Sequence, residues 1–153
     1  MRRWIKAAGI AALGVAASGA TPQTESASVT MGKGYDRGVG PGAATMQGYF
    51  LLSDAATCHG MKRLAGFGMI SGKSSTRPVP AGAPVSIYAM VQRTENYRTG
   101  VCQNSVTFTP IPNHNYSVLQ RSAVWESCRI DVVDIATNQA PADLTRNNAL
   151  KCS

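Results

Sequence analysis

Histidine and closely spaced cysteine are both scarce in this chain. Its 153 residues include two histidines and four cysteines. Consecutive cysteines are 44, 26 and 24 positions apart, and the two histidines, His59 and His114, are distant from each other in sequence. Structural zinc sites draw their ligands from pairs of Cys or His only a few residues apart. We therefore expect no metal site in this protein.

Recognisable catalytic motifs are also missing. The sequence has no Gly-x-Ser-x-Gly turn and no His-Glu-x-x-His helix motif. The segment Ser71-Gly-Lys-Ser-Ser75 is similar to the end of a phosphate-binding loop, but Phe67 stands where that motif requires glycine. Asp131 and Asp134 are three positions apart, so on an extended strand they point to opposite faces. We expect no catalytic residues, no cofactor and no enzymatic activity.

Clustered positive charge is absent as well. The chain has 15 Lys and Arg against 8 Asp and Glu. Three of these cations lie in the first twenty residues, and the other twelve are scattered, with only Lys62 and Arg63 adjacent. Nucleic-acid binding requires a basic patch or stripe. This pattern therefore excludes nucleic acid as an expected partner.

The longest uncharged apolar run is too short to cross a membrane. It extends from Ala7 to Ala17, whereas a spanning helix needs roughly 20 apolar residues. The basic residues Arg2, Arg3 and Lys6 precede it, and small residues ending at Ala20 follow it. This order is typical of a secretory signal peptide. We predict that residues 1–20 are removed and that the mature protein is periplasmic or secreted, without a membrane span.

The next segment, residues 21–45, is rich in Gly, Ser, Thr and Ala and has almost no large apolar side chain. Such a composition favours disorder because little surface can be buried on folding. We predict a flexible tether over residues 21–45, followed by one domain over residues 46–153. We expect that domain to be monomeric.

The cysteines are predicted to form disulfides. Cys58, Cys102, Cys128 and Cys152 are an even number and lie outside both the leader and the predicted tether. In an oxidising compartment they are expected to pair and to stabilise a small core. Four cysteines allow three connectivities. Among these we favour Cys102–Cys128 together with Cys58–Cys152.

Several segments alternate apolar and polar residues, as half-buried strands do. In the clearest of them Val85, Ile87, Ala89 and Val91 fall on one face. The predicted strands cover residues 47–52, 84–92, 105–109, 115–120 and 128–135, with Pro, Gly and Asn between them. Short strands separated by such turns predict a sandwich or barrel. We predict an all-β fold, namely a single small antiparallel β-sandwich stapled by disulfides.

A family resemblance covers residues 79–135. It consists of four segments: VPAGAPVSIYAMV, VCQNSVTFTP, NHNYSVL and SCRIDVVD. Their order resembles that of small secreted and lipoprotein-type β-sandwich proteins of proteobacteria, most of which have no assigned activity. The shared residues are turn and packing residues. The resemblance therefore implies a fold and a compartment, and it transfers no catalytic residue.

These observations favour a non-catalytic exported module that binds an envelope or extracellular partner, either protein or glycan. Tyr88, Tyr97, Tyr116 and Trp125 are natural contact residues if exposed, and core packing is the alternative role for each. A second hypothesis is a secreted inhibitor or effector that presents the polar loop from Arg93 to Gly100. A third is a hydrolase whose site forms only in the folded chain. The expected partner-contact residues are Arg93, Tyr97, Arg98 and Trp125.

Overall fold

The computed structural model describes residues 25–34, 43–68, 73–122, 128–147 and 152. These residues form nine β-strands, and none of them is helical, so no helix in these ranges could span a membrane. The strands are β1 (Ser26–Gly32), β2 (Ala44–Leu52), β3 (Lys62–Phe67), β4 (Ser74–Pro80), β5 (Val85–Glu95), β6 (Arg98–Phe108), β7 (Asn115–Ser122), β8 (Cys128–Asp134) and β9 (Thr145–Asn147). The prediction of an all-β fold is confirmed.

The strands form two sheets. The four-stranded sheet has the order β4-β1-β7-β8, and the five-stranded sheet has the order β3-β2-β5-β6-β9. The pairing of β1 with β7 is parallel, and every other strand pairing in the described residues is antiparallel. The two sheets enclose one main hydrophobic core. This architecture is the predicted β-sandwich.

Alternation along the strands builds that core. Ile87 and Ala89 of β5 are fully buried, as the period-2 pattern predicts for the inner face. Val29 of β1 and Val118 of β7 are fully buried in the same core cluster from the other sheet. Successive inner-face residues of the two sheets thus pack together and leave the intervening positions outside the main core.

The predicted tether is wrong for part of its length, because residues 26–32 form a strand. β1 lies inside the four-stranded sheet, between β4 and β7. Its residues Ala27, Val29 and Met31 are buried. The low apolar content of residues 21–45 suggested disorder, yet three alternating apolar side chains are enough when both edges of the strand are paired. The domain therefore begins before Met46, the predicted boundary, and includes β1. Residues 21–24 and 35–42 of the predicted tether, and the predicted signal peptide over residues 1–20, lie outside the described residues.

Three further strands were not predicted, namely β3, β4 and the three-residue β9. β4 contains Pro78 and Pro80, which indicated a turn, but β4 pairs only with β1 and therefore lies at the edge of its sheet. Proline is tolerated at a sheet edge because its missing N–H can face away from the ladder. β3 is also an edge strand, and its pairing with β2 shifts register between Tyr49 and Phe50. Such a bulge interrupts the alternation that sequence reading relies on.

Both disulfides match the favoured connectivity. Cys102 of β6 is bonded to Cys128 of β8, with the Cα atoms 6.0 Å apart, so this bridge joins the two sheets. Cys58 lies in the turn after β2 and is bonded to Cys152, with the Cα atoms 5.6 Å apart. Cys152 packs with Leu52 and Tyr88 in a second, smaller apolar cluster. This bridge therefore holds Cys152 against the five-stranded sheet.

An arginine spans each side of the sandwich where the two sheets end. Arg77 Nε of β4 donates to the Leu64 carbonyl oxygen of β3 at 3.2 Å. Arg146 Nε of β9 donates to the Ile130 carbonyl oxygen of β8 at 3.3 Å. Unpaired edge carbonyls are sites for unwanted strand addition. These two side chains occupy such carbonyls and tie the sheets to each other.

Candidate functional site

The turns at one end of the sandwich form the candidate site, which we call the His114 end. It comprises residues 109–116, which lead into β7, and residues 134–143, which follow β8. Because β7 and β8 are antiparallel, the start of one lies beside the end of the other, and Tyr116 is paired with Asp134. Backbone bonds from Ser28 N to the His114 oxygen and from Ile135 N to the Asn115 oxygen fix these turns to the sheet.

His114 and Asp134 form a hydrogen-bonded pair at this end. The imidazole Nδ1 donates to Asp134 Oδ2 at 2.7 Å, and the side chains are 30% and 7% exposed. The hydrogen bond from His114 lowers the pKa of the Asp134 carboxyl below its ordinary value, and the bond from Ala136 N adds to this effect. Asp134 therefore carries a negative charge at neutral pH. The imidazole also stacks on the Tyr116 ring, with centroids 6.3 Å apart.

Asp134 also organises the turn that follows it. Its Oδ1 accepts a hydrogen bond from Ala136 N at 2.9 Å. Its backbone oxygen accepts from Asn138 N, and its backbone N–H donates to the Gln139 oxygen, both at 2.8 Å. Accepting turn hydrogen bonds is a common role for an aspartate at the end of a strand. The hydrogen bond with His114 is an additional contact.

A pocket of about 330 Å³ opens beside this hydrogen-bonded pair. Tyr116, whose hydroxyl accepts from Ile111 N at 2.9 Å, and Asp143, whose Oδ2 accepts from Thr109 N at 2.9 Å, line it. Asp134, whose carboxylate contacts His114, forms part of the wall. The complete lining is Thr109, Ile111, Tyr116, Asp134, Thr137, Gln139, Ala140, Pro141, Ala142 and Asp143.

The lining is mainly apolar and includes a few hydrogen-bonding groups. Ile111 and Pro141 offer apolar surface, while Thr137 and Gln139 offer hydroxyl and amide groups. Small-molecule and side-chain sites have this general composition, and their volumes begin at about 300 Å³. The pocket thus has room for one side chain of a partner or one sugar residue.

The His114–Asp134 pair has one feature of a hydrolytic site, a base oriented by a carboxylate. Such a base also needs a nucleophile within hydrogen-bond reach. In the part of the chain that the structure describes, no serine, threonine or cysteine side chain is hydrogen-bonded to His114. All four cysteines are in disulfides. The geometry shows a pair that connects two turns.

The region from Arg93 to Gly100 is a β-hairpin, and the prediction of an eight-residue loop is wrong. β5 continues to Glu95, β6 begins at Arg98, and only Asn96 and Tyr97 lie between them. Both have positive φ, 48° and 62°, as the tight type I′ hairpin turn requires. The polar residues that indicated a loop belong to two strands that extend past the apolar core.

The expected contact residues in this hairpin differ in accessibility. Tyr97 is fully exposed at the tip, and Arg98 next to it is exposed. Arg93 is a poor contact residue because its side chain is only 16% exposed and is paired with Glu95 at 2.6 Å. Trp125 lies outside the described residues. Of the other candidate aromatics, Tyr88 and Tyr116 are buried, which is the packing alternative.

Sequence reasoning did not anticipate the pairing of His114 with Asp134, although a signal was present. His114 precedes one predicted strand, and Asp134 lies near the end of the next. If two consecutive strands pair as an antiparallel hairpin, these positions meet at the same end. The pocket itself depends on the turn conformation of residues 135–143, for which the sequence has no periodic pattern.

Neither a scan against models of protein families nor a search of curated protein sequences gives a match to this chain. Within the residues that the structure describes, no group of three or more His, Cys, Asp or Glu side chains is placed to hold a metal ion. The interpretation of the His114 end therefore depends on its geometry alone.

Proposed function

We propose that this protein is a non-catalytic exported module that binds an envelope or extracellular partner, a protein or a glycan, through the His114 end. The observation that carries the proposal is the pocket beside Asp134. It combines apolar surface with hydroxyl and amide groups on a rigid sheet end. Binding sites are commonly built on loops that a rigid scaffold positions.

The polar groups around the pocket support recognition rather than catalysis. Asp134 accepts from His114 and from Ala136 N, and Asp143 accepts from Thr109 N. Each carboxylate thus holds a turn in place, which preorganises the pocket and lowers the entropic cost of binding. Thr137 and Gln139 remain as lining groups that can select a ligand by hydrogen bonding.

The two disulfides support the proposed location. Disulfides form and persist in oxidising compartments such as the periplasm or the extracellular space, and both bridges join segments distant in sequence. A protein that carries a signal peptide over residues 1–20 would fold there, and we propose that it is a monomer. N-terminal sequencing of the exported protein checks this directly, and the expected first residue is Thr21.

The experiment compares the wild-type exported protein with a pocket variant. Ala140 is an exposed lining residue outside the core, so Ala140→Trp should obstruct the pocket without disturbing the sandwich. Both proteins are immobilised and exposed to envelope extract and to a glycan array. We expect a partner that the wild type retains and that Ala140→Trp loses. Equal retention by both proteins would show that the pocket is not the contact.

The hairpin supports a second candidate, a secreted inhibitor or effector. Tyr97 has a φ of 62°, where glycine is preferred and a bulky residue is strained. A tyrosine in this strained conformation at the exposed tip lowers the stability of the fold. Strained residues of this kind are concentrated at functional positions. In the same capture experiment, loss of the partner by Tyr97→Ser and not by Ala140→Trp would favour this candidate.

A hydrolase substrate panel tests the non-catalytic part of the proposal. We expect no turnover by the wild-type protein. Turnover that His114→Ala abolishes would overturn the proposal and assign the His114–Asp134 pair to catalysis.

A further inference from the structure

A layer of polar side chains lies inside the sandwich toward the end opposite the His114 end. Gln47 Nε2 of β2 donates to the Tyr49 hydroxyl at 2.9 Å and to the Gln120 carbonyl oxygen at 3.3 Å. The Tyr49 hydroxyl donates to the Gly32 oxygen at 2.8 Å and accepts from Gln120 N at 2.8 Å. Gln47 Oε1 accepts from Gly34 N at 3.1 Å. The polar side-chain atoms of Gln47 and Tyr49 are therefore satisfied by protein groups.

In the neighbouring pair of side-chain amides, Asn104 of β6 and Gln120 of β7, only one polar atom of each amide is hydrogen-bonded to protein groups. Gln120 Nε2 lies 3.1 Å from Asn104 Oδ1, 3.2 Å from the Ala89 oxygen and 3.3 Å from the Cys102 oxygen. The other two atoms of the pair, Gln120 Oε1 and Asn104 Nδ2, have no hydrogen-bond partner among the described residues. The residues are 0% and 1% exposed, so bulk solvent does not reach these atoms.

Exchanging the oxygen and nitrogen of either side-chain amide does not give these two buried atoms hydrogen-bond partners. Turning the Gln120 amide over would place its oxygen against three acceptors, the Ala89, Cys102 and Asn104 oxygens. Turning the Asn104 amide over would place its NH2 group against the Gln120 NH2 group. The hydrogen-bond network thus fixes both orientations, and one acceptor and one donor remain.

We propose that Gln120 Oε1 and Asn104 Nδ2 form an internal hydration site that binds at least one ordered water molecule. Buried polar atoms in folded proteins are nearly always hydrogen-bonded to protein or to ordered water. A water molecule donates to Gln120 Oε1 and accepts from Asn104 Nδ2, which is the complement this pair needs. A cation would satisfy only the oxygen, and an anion would satisfy only the NH2 group. A neutral molecule that both donates and accepts therefore fits best, and the burial of both residues favours a molecule as small as water.

The test begins with the wild-type, disulfide-bonded protein, so it does not depend on the folding of a variant. A crystal structure at a resolution that shows ordered waters should contain a water within hydrogen-bonding distance of Gln120 Oε1 or Asn104 Nδ2. In solution, the Gln120 side-chain NH2 protons should show a cross-peak to a long-lived bound water. A dry site by both methods would overturn the proposal, as would protein groups bonded to both atoms.

Two variants then locate the water. Asn104→Leu removes the donor and should abolish the cross-peak between water and the Gln120 side chain. Gln47→Met is the matched control because the amide of Gln47 is already satisfied by protein groups, and the cross-peak should persist in this variant. Persistence in Asn104→Leu would show that Asn104 does not hold the water and would overturn the assigned site.

Discussion

Each disulfide can be removed separately by replacing both of its cysteines with alanine. The Cys58–Cys152 bridge spans 94 positions, and the Cys102–Cys128 bridge spans 26. A cross-link stabilises the folded state chiefly by lowering the entropy of the unfolded chain, and a longer closed loop gives a larger effect. For loops of these lengths, the chain-entropy relation gives losses of about 4.7 and about 3.5 kcal/mol in the free energy of unfolding at 25 °C.

Local packing increases this difference. Cys152 is buried against Leu52 and Tyr88, and the Tyr88 hydroxyl donates to the Cys152 oxygen at 3.5 Å. The bridge to Cys58 anchors Cys152, so removing it should weaken these apolar contacts as well. The sheets joined by Cys102–Cys128 still meet across the main core. Loss of Cys58–Cys152 should therefore be the more destabilising change.

Urea unfolding followed by far-UV circular dichroism measures both losses. Free energies should be compared rather than midpoints, because removing a cross-link exposes more surface in the unfolded chain and steepens the denaturant dependence. The wild-type protein with both bridges reduced gives the lower limit. If the variant without Cys102–Cys128 loses as much stability as the other or more, loop length does not control the effect, and the reasoning above is refuted.

Three other predictions concern single positions. Met31→Ala should lower the free energy of unfolding, measured by urea unfolding, by about 2–5 kcal/mol, because Met31 is fully buried in β1. The control Ser26→Ala, at the exposed start of β1, should change this free energy little. Equal effects of the two substitutions would show that β1 is not part of the core. Asp134→Asn should destabilise the protein at neutral pH, and the difference in unfolding free energy from wild type should shrink in acid. The pKa of Asp134 is lowered in the folded protein. The stability that its charged carboxylate contributes is therefore present above the ordinary carboxyl pKa and is lost as pH falls through the lowered value. Urea unfolding at several pH values measures that difference, and a constant offset would contradict the prediction. Tyr97→Gly should raise the thermal midpoint, because glycine adopts the positive φ of this turn without strain; a lowered midpoint would show that Tyr97 contributes contacts to the fold.

The sequence predicted the strands that have one apolar and one polar face, and it failed where a strand departs from that pattern. β5 was recognisable because Val85 to Val91 alternate and supply the inner face of the larger sheet. β1 carries the same alternation, but the Gly- and Ser-rich residues around it dominated the average composition of residues 21–45. A seven-residue strand with both edges paired needs only three buried side chains, and an average over twenty-five residues conceals them.

The disulfide connectivity shows a different limit. Three pairings of four cysteines are equivalent in sequence, and only the fold distinguishes them. Cys102 and Cys128 meet because β6 and β8 lie on the same side of the sandwich, in different sheets. A prediction of which strands are neighbours would have been enough to choose this pairing.

Polar groups have different surroundings at the two ends of the sandwich, and this difference supports the His114 end as the proposed binding surface. At the opposite end, Gln47 and Gln120 direct their amides into the interior, where they bond to other protein groups. At the His114 end, the carboxylates of Asp134 and Asp143 hold turns open around an accessible pocket. Interior amides fix how the sheets pack and offer nothing to a partner. Turns held rigid around a pocket offer both shape and hydrogen bonds, so a ligand of this module is expected to contact residues 109–116 and 134–143.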